Sequence, residues 1–344
     1  MDFTFDDQQR ELADVARDFF VAAGPADRVD AGPAAARLAW DNAVASLGIQ
    51  ALGVPGELGG LSGAVELAAV LEESGRTLYP APLLTSVGYA NGLLSCVGGA
   101  AHDLLRQVVD TGRAVAVVDH PSVALEDGVV VGVASAVVDA ETADELLVLI
   151  GGSIVHIPGD APRLSIEAQD GIDPSRRAAR VRFDGVPATV LAVNADEAIA
   201  TARARAQGLA AVEAVGGIRA TLDSVIEHVS TRRQFGVPVG SFQAVQHRAV
   251  DMLLDLDRAA AAAYHAAWCA DADPASLAWA GPLALRAAAA GYGRVARGAI
   301  QLYGGIGFTW EHHAHRHFRR AVALATRFGA ADQQLDQGFA AIKG

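Results

Sequence analysis

Arg232-Arg-Gln-Phe-Gly-Val-Pro-Val-Gly-Ser-Phe-Gln243 is the stretch on which the reading of this chain turns. It interrupts two long segments of apolar periodicity and is answered further on by Gln301-Leu-Tyr-Gly-Gly-Ile-Gly307. An arginine fork, an aromatic ring, an amide and a glycine turn are the parts that hold a dinucleotide diphosphate. The Arg232 guanidinium offers planar donors to phosphate oxygens, and the glycines let backbone N–H groups come close to an anion.

On the N-terminal side of this stretch the chain reads as helix from about Asp196. Leu209, Val212, Val215, Leu222, Val225, Ile226 and Val229 recur mostly at three- and four-residue steps, and Gly208, Gly216 and Gly217 allow close helix contact. On the C-terminal side a second helix is expected from Gln243 through Met252, Leu253, Leu256 and Trp268. Asp273-Pro274 supplies an N-cap followed by proline at the first helical position, and the third helix reaches Tyr303, where Gly304-Gly305 ends it. A last segment carries Phe318 to Phe328 and is expected to fade into Gln- and Ala-rich residues.

Earlier in the chain two other regions stand apart. Residues 1–112 read as helices: Asp6 to Gln9 has capping-box spacing, Leu12, Val15, Ala16, Phe19 and Phe20 form one stripe, and Pro33 precedes a helix over Ala34 to Leu47. Further helical runs are expected at Ala64 to Gly75 and Thr85 to Leu94. Composition changes near Gly112, and residues 113–194 hold short valine-rich runs separated by Gly, Pro or Asp. Ala114–Val118, Val129–Val133, Ala136–Val138, Leu146–Ile150, Ile154–Ile157, Ala179–Phe183 and Thr189–Val193 predict a small antiparallel β domain, with Asp184-Gly185 turning the chain into its last strand.

Bulk properties narrow the function classes. With 344 residues, 51% of them hydrophobic and 19% charged, the chain supports a substantial core and excludes general disorder. A formal net charge of −13 argues against a general grip on nucleic acid or an anionic membrane, so an anionic ligand needs a local basic site such as Arg232/Arg233. Cys96 and Cys269 lack metal-type spacing, which fits a reduced compartment. Met-Asp-Phe-Thr-Phe-Asp-Asp has no basic region followed by an apolar run, and apolar runs break before spanning length, so a cytoplasmic protein without leader or membrane span is expected.

Taken together, these residues resemble the acyl-CoA dehydrogenase family over essentially the whole chain. Asp7-Gln-Gln-Arg-Glu-Leu12, Gly53-Val-Pro-Gly-Glu-Leu-Gly-Gly60 and Glu72-Glu-Ser-Gly-Arg76 are similar to its N-terminal domain. Arg232-Arg-Gln-Phe-Gly236, Phe242-Gln-Ala-Val-Gln246 and Gln301-Leu-Tyr-Gly-Gly-Ile-Gly-Phe308 carry the strongest likeness. The resemblance implies a mainly α fold with a small β domain: an N-terminal helical domain at 1–112, a shortened middle β domain at 113–194 and a C-terminal four-helix bundle at 195–344. It also implies FAD, with Arg232, Phe235, Gln243, Gln301, Gly304 and Gly305 at positions that contact its adenine–diphosphate half. In the family that half-site serves the flavin of a neighbouring subunit. The plainer reading makes Arg232 a solvated helix-end cation and Gly304-Gly305 a C-cap.

The chain departs from the family where the chemistry is done. Family members remove the proton alpha to a thioester carbonyl with a glutamate, which sits at one of two positions. One follows an Arg-x-Ala stretch, which here reads Arg319-Arg-Ala-Val-Ala-Leu-Ala-Thr-Arg-Phe-Gly329 and puts Phe328 at the glutamate's place. The other lies roughly seven helical turns before the motif arginine and falls near Ala206. The family's Thr-Glu-Pro…Gly-Ser loop against the flavin ring also has no counterpart in Val118-Asp-His-Pro-Ser-Val-Ala-Leu-Glu-Asp-Gly128, and the Thr and Gln after the glutamate are replaced by Ala330 and Asp332. No catalytic residue is therefore assigned.

By resemblance the chain looks like the short, glutamate-lacking subunit of actinobacterial α2β2 acyl-CoA dehydrogenases, several of which act on sterol side-chain CoA thioesters. Its expected partners are a homologous catalytic subunit, an acyl-CoA and an electron-transfer flavoprotein, with no nucleic acid and no membrane. Two alternatives stay open: a self-sufficient enzyme with Glu213, two turns beyond Ala206, as a relocated base, and a non-enzymatic scaffold on the same fold. Glu311 stands where acidic residues are common in the family without being the base. His312, His313, His315 and His317 invite a metal reading, because 313 and 317 share a helix face, but no carboxylate or cysteine partner is evident and no metal is assigned.

Overall fold

A computed structural model describes residues 5–24 and 32–343, so the first four residues used in the leader reading lie outside the described ones. In chain order, helices α1 (Asp7–Ala22), α2 (Pro33–Leu47) and α3 (Ala64–Thr77) precede a π-helical segment, Leu83–Asn91, which runs into the short α4 (Gly92–Ser95) and α5 (Ala100–Thr111). Eight strands follow: β1 (Val115–Asp119), β2 (Val123–Glu126), β3 (Val129–Val138), β4 (Glu145–Ile150), β5 (Ser153–Pro158), β6 (Leu164–Gln169), β7 (Ala178–Pro187) and β8 (Thr189–Ala192). Helix α6 (Asp196–Thr231) leads through two-residue strands β9 (Arg233–Gln234) and β10 (Val237–Pro238) to α7 (Gln243–Ala272), α8 (Pro274–Tyr303), α9 (Ala314–Leu324) and α10 (Ala331–Lys343). The chain is mainly α with a small β region. The expected fading after Phe328 is corrected, since α10 occupies that stretch with Leu335 and Gln334 turned inward.

The chain forms two compact units. The first holds the described parts of Met1–Asp27, Ala68–Tyr79 and Gln207–Gly344, and is helical. Helix α7 packs along α8, which also receives α9 and α10. The glycines of α6 permit its close seating: a Cβ on Gly208 would stand 2.9 Å from the Ala266 methyl, one on Gly217 would collide with the Tyr292 hydroxyl, and one on Gly216 with the Glu72 carbonyl oxygen. Caps fix the ends. The Asp6 carboxylate accepts from the Gln9 N–H at 2.8 Å while the Gln9 side chain accepts from the Asp6 N–H at 3.2 Å, a reciprocal capping box. At α8 the Asp273 carboxylate accepts from the Ser276 N–H at 3.3 Å, with Pro274 in the first turn.

The Glu72-Glu-Ser-Gly-Arg76 stretch is a packing device within this unit. Buried Glu72 accepts from Arg219 Nε at 2.7 Å and from the Tyr264 hydroxyl, while buried Glu73 accepts from Arg17 at 2.9 and 3.1 Å. Two carboxylates out of water are tolerated because each has a cation; an unpaired one would be expelled or neutralised.

The second unit holds the described parts of Arg28–Leu67 and Pro80–Ala206. Its strands form two four-stranded sheets, ordered β1-β4-β5-β8 and β2-β3-β7-β6. Val118, Val130, Val148, Val155, Val181 and Phe183 from both sheets share one core. Three expectations change here. β1 runs parallel to β4, so the domain is not wholly antiparallel. The two runs read at Val129–Val133 and Ala136–Val138 are one strand, kinked where Ala136 takes φ +56° and the register slips. Asp184-Gly185 does not turn the chain. Gly185, at φ +76°, is the extra residue of a bulge inside β7, and the strand ends at Pro187.

Candidate functional site

Helix α6 stops at Thr231, and after Arg232 the six residues 233–238 fold back as a hairpin in which Gln234 pairs Val237 and Arg233 pairs Pro238. A two-residue loop of this kind needs positive φ at both central positions, and they are Phe235 at +52° and Gly236 at +83°. A phenylalanine held in that region is strained and stands at the tip, 92% exposed. The backbone of Arg232 is pinned on both sides: its N–H donates to the His228 carbonyl and its carbonyl accepts from the Val239 N–H, each at 2.8 Å. Helix α8 ends next to this hairpin because Gly304, at φ +67°, leaves the helical region.

Between these ends lies a groove of about 470 Å³ lined by Arg232, Gln234, Arg248, Gln301, Gly304 and Gly305, with His228 and Tyr303 at its wall. No carboxylate lines it. Among the described residues neither Arg232 nor Arg248 has an ion-pair partner. In a chain of net charge −13, two guanidiniums without an ion pair, facing amides and glycine backbone, are chemically suited to an anion. Nothing stands within 4 Å of where a Cβ on Gly304 or Gly305 would project, so the backbone there is open to a ligand.

Of the six residues expected to hold a dinucleotide, the structure gathers four, Arg232, Gln301, Gly304 and Gly305, in this groove. Phe235 and Gln243 do not line it. Phe235 sits at the hairpin tip with its ring edge-on to Phe242 at 6.3 Å between centroids, and Gln243 opens α7 exposed to solvent. Sequence reasoning passed over His228, Arg248 and Tyr303. His228 was recoverable, since it precedes Arg232 by one helical turn on the same face.

His228 is half-buried, and its imidazole is held below the usual range, first by burial and then by the positive Arg232. Its ring meets Tyr303 edge-on at 5.1 Å, and Tyr303 in turn lies 4.0 Å from the ring of His312. His312 is also pushed down, by burial and then by His313, His228 and His315. Two of the remaining rings are engaged separately: His317 Nδ1 lies 2.7 Å from the Tyr292 hydroxyl, and His315 meets Trp310 at 4.7 Å. Among the described residues no three His, Cys, Asp or Glu side chains are grouped to hold a metal. Glu311 is exposed beside them.

The positions where a carboxylate base was sought are filled otherwise. Ala206 is fully buried, and the neighbouring Arg205 donates to the Gly88 carbonyl at 2.7 Å and to the Gly53 carbonyl at 2.8 Å. Phe328 follows Arg327, whose guanidinium lies 5.7 Å from the Phe328 ring centroid. Glu213 is buried and accepts from Arg320 Nη1 at 3.1 Å, with both side chains about 5% exposed. That carboxylate is a partner of an equally buried cation. A second groove, of about 680 Å³, shares Arg248 and Gln301 with the first and adds Arg258, Arg294 and Arg297; the Asp255 carboxylate takes both Arg294 donors, at 2.6 and 2.9 Å.

An arginine-and-glycine anion groove at the end of a long helical bundle, with a two-sheet β unit earlier in the chain, defines an acyl-CoA dehydrogenase-like architecture. Residues 197–342 match the family model described as "Acyl-CoA dehydrogenase, C-terminal domain". The chain is 32% identical over 307 residues to acyl-CoA dehydrogenase IpdE2 of Mycobacterium tuberculosis, covering 86% of this chain and 87% of that protein. It is equally identical over 307 residues to acyl-CoA dehydrogenase FadE34 of the same organism, where the match covers 85% of this chain but only 40% of the relative. The chain thus spans less than half the length of FadE34. Among solved structures, the Tcur3481–Tcur3483 steroid ACAD variant superposes with a TM-score of 0.86 at 27% identity, covering 98% of both chains. The ChsE4–ChsE5 complex from M. tuberculosis gives 0.85 at 23% identity over 100% and 99%, a likeness of fold. The chain belongs to the acyl-CoA dehydrogenase family.

Proposed function

We propose that this chain is a subunit of an FAD-dependent acyl-CoA dehydrogenase, and that it supplies the adenine–diphosphate half of the flavin site to a homologous partner. The partner carries the glutamate base. The observation that carries this reading is the contrast between a carboxylate-free groove at Arg232, Gln301, Gly304 and Gly305 and a phenylalanine and an alanine at positions 328 and 206. The groove fits the group: its donors are cationic or amide, and it lacks any carboxylate that would repel a diphosphate. Bound FAD supplies the two-electron acceptor for hydride leaving the acyl β carbon. Arg232 and Arg248 hold the diphosphate charge, Gln301 orients it through its amide, and the open backbone at Gly304-Gly305 lets N–H groups approach it.

The exposed Phe235, Phe308 and Trp310 near this end support a face covered by another chain, since large aromatics at a solvated surface are otherwise unfavourable. The 27% identity with the steroid ACAD variant supports a bulky, sterol-derived acyl-CoA as the substrate class desaturated between its alpha and beta carbons. We take an electron-transfer flavoprotein as the acceptor of this reading. The buried Glu213–Arg320 pair weighs against a relocated base on this chain. The deciding experiment is co-purification with flavin analysis. The chain alone should show no acyl-CoA turnover, and FAD should be retained when a second acyl-CoA dehydrogenase chain is present. A pure homo-oligomer that keeps flavin and turns over an acyl-CoA would overturn the reading.

A further inference from the structure

We infer that His228 is a further, proton-dependent cation of the diphosphate groove, so that this half-site grips a doubly anionic diphosphate through the permanent charges of Arg232 and Arg248 and one acquired on binding. The inference rests on the reading of the groove as the diphosphate site given above.

Geometry places the ring there. His228 lies one helical turn before Arg232 on α6 and lines the same groove as Arg232, Arg248 and Gln301. The groups facing it are few. From α6 come Glu227 and Ser224, which act on Tyr303, and just past its end stands Arg232; from α8 come Tyr303 and Gln301; from α7 comes Arg248; and behind Tyr303 lies His312 with His313 and His315. Glu227 is exposed and is the one carboxylate in this set, so nothing within the groove itself neutralises an imidazolium. Burial and Arg232 instead hold the ring neutral in the empty groove at neutral pH. A diphosphate reverses both influences. It screens Arg232 and adds negative charge beside the ring, which favours the imidazolium and turns it into a charge-assisted donor.

The linkage has a definite sign. The bound state holds one more proton than the free state, so affinity is greatest at low pH and falls as pH rises through the His228 range. FAD is the suitable probe because its diphosphate, esterified at both ends, keeps the same charge throughout that range. FAD retention is measured by equilibrium dialysis on the flavin-bearing assembly in which the full chain purifies, between about pH 5.5 and pH 8. The wild-type dissociation constant should rise with pH by up to about tenfold per unit, the limit for one linked proton. His228→Gln should bind FAD weakly and with a flat profile, and His228→Lys, a permanent cation, should restore tight binding at the alkaline end. A His228→Gln profile that keeps the wild-type slope, or a wild-type profile that is already flat, overturns the inference. Arg232→Ala separates this from the underlying reading: weaker FAD binding at every pH with the slope preserved supports both. Unchanged FAD binding in that variant overturns the half-site itself.

Discussion

Arg17, Arg219 and Arg320 each end on a buried carboxylate, of Glu73, Glu72 and Glu213 respectively, whereas Arg232 and Arg248 line a groove that contains none and make no ion pair among the described residues, although Arg248 also borders the neighbouring groove of Asp255. All five belong to the same helical unit, and sequence composition alone does not tell them apart. The difference lies in desolvation. A carboxylate packed under α6 must have its cation, so those arginines belong to the fold. An arginine at a helix end with backbone pinned and no internal ion pair is free of that constraint, which suits the ligand role proposed for it.

The comparison can be broken at either set. The largest effect is expected at Glu213→Gln, which breaks the buried ion pair with Arg320 and should lower unfolding stability by about 3 to 5 kcal/mol. Urea unfolding checks it, and a variant of wild-type stability that has lost only turnover would instead revive a catalytic role for Glu213. Next comes Arg232→Ala. It should leave the urea midpoint within error while weakening FAD retention by about 2 kcal/mol, roughly thirtyfold. If stability fell as much as binding, the two sets would not be distinct.

Smaller effects test the margins. Asp223 meets Arg76 at 2.9 Å, but this carboxylate is more than half exposed, so Asp223→Ala should lower stability by less than about 1 kcal/mol. The smallest concerns pH. Burial pushes the Tyr79 hydroxyl up to about 12, above its unfolded value near 10. The folded state therefore favours the protonated phenol, and this contribution is full below about pH 10 and is lost between about pH 10 and 12. Tyr79→Phe should move alkaline unfolding, followed by circular dichroism, to slightly higher pH while leaving neutral stability within about 1 kcal/mol.

The long helices were legible because their signals are local. Asp273-Pro274 starts α8 and Gly304 ends it, as the cap residues predicted. The β unit was less so. β2 and β6 went unseen because both lie at sheet edges, where one side of the strand is unpaired and residues such as Ser165, Glu167 and Glu126 face outward, which blurs the apolar pattern. The Asp184-Gly185 pair carried a turn signal that the neighbouring strand β3 overrode, converting it to a bulge. At the candidate site, Arg232, Gln301, Gly304 and Gly305 were read from the family motifs and His228 was within reach of helical spacing, while Arg248 became visible only once α6, α7 and α8 were assembled.

By itself, then, the sequence determined the family, the helix ends and the absence of a carboxylate at positions 206 and 328, because each is written in residue identity and short-range spacing. Tertiary structure decided which arginines are paired. It placed Glu213 against Arg320 and Glu72 against Arg219, partners more than a hundred residues apart, and it left Arg232 and Arg248 facing an open groove. Charge pairing depends on distance in space and on burial, and neither is a property of neighbouring letters.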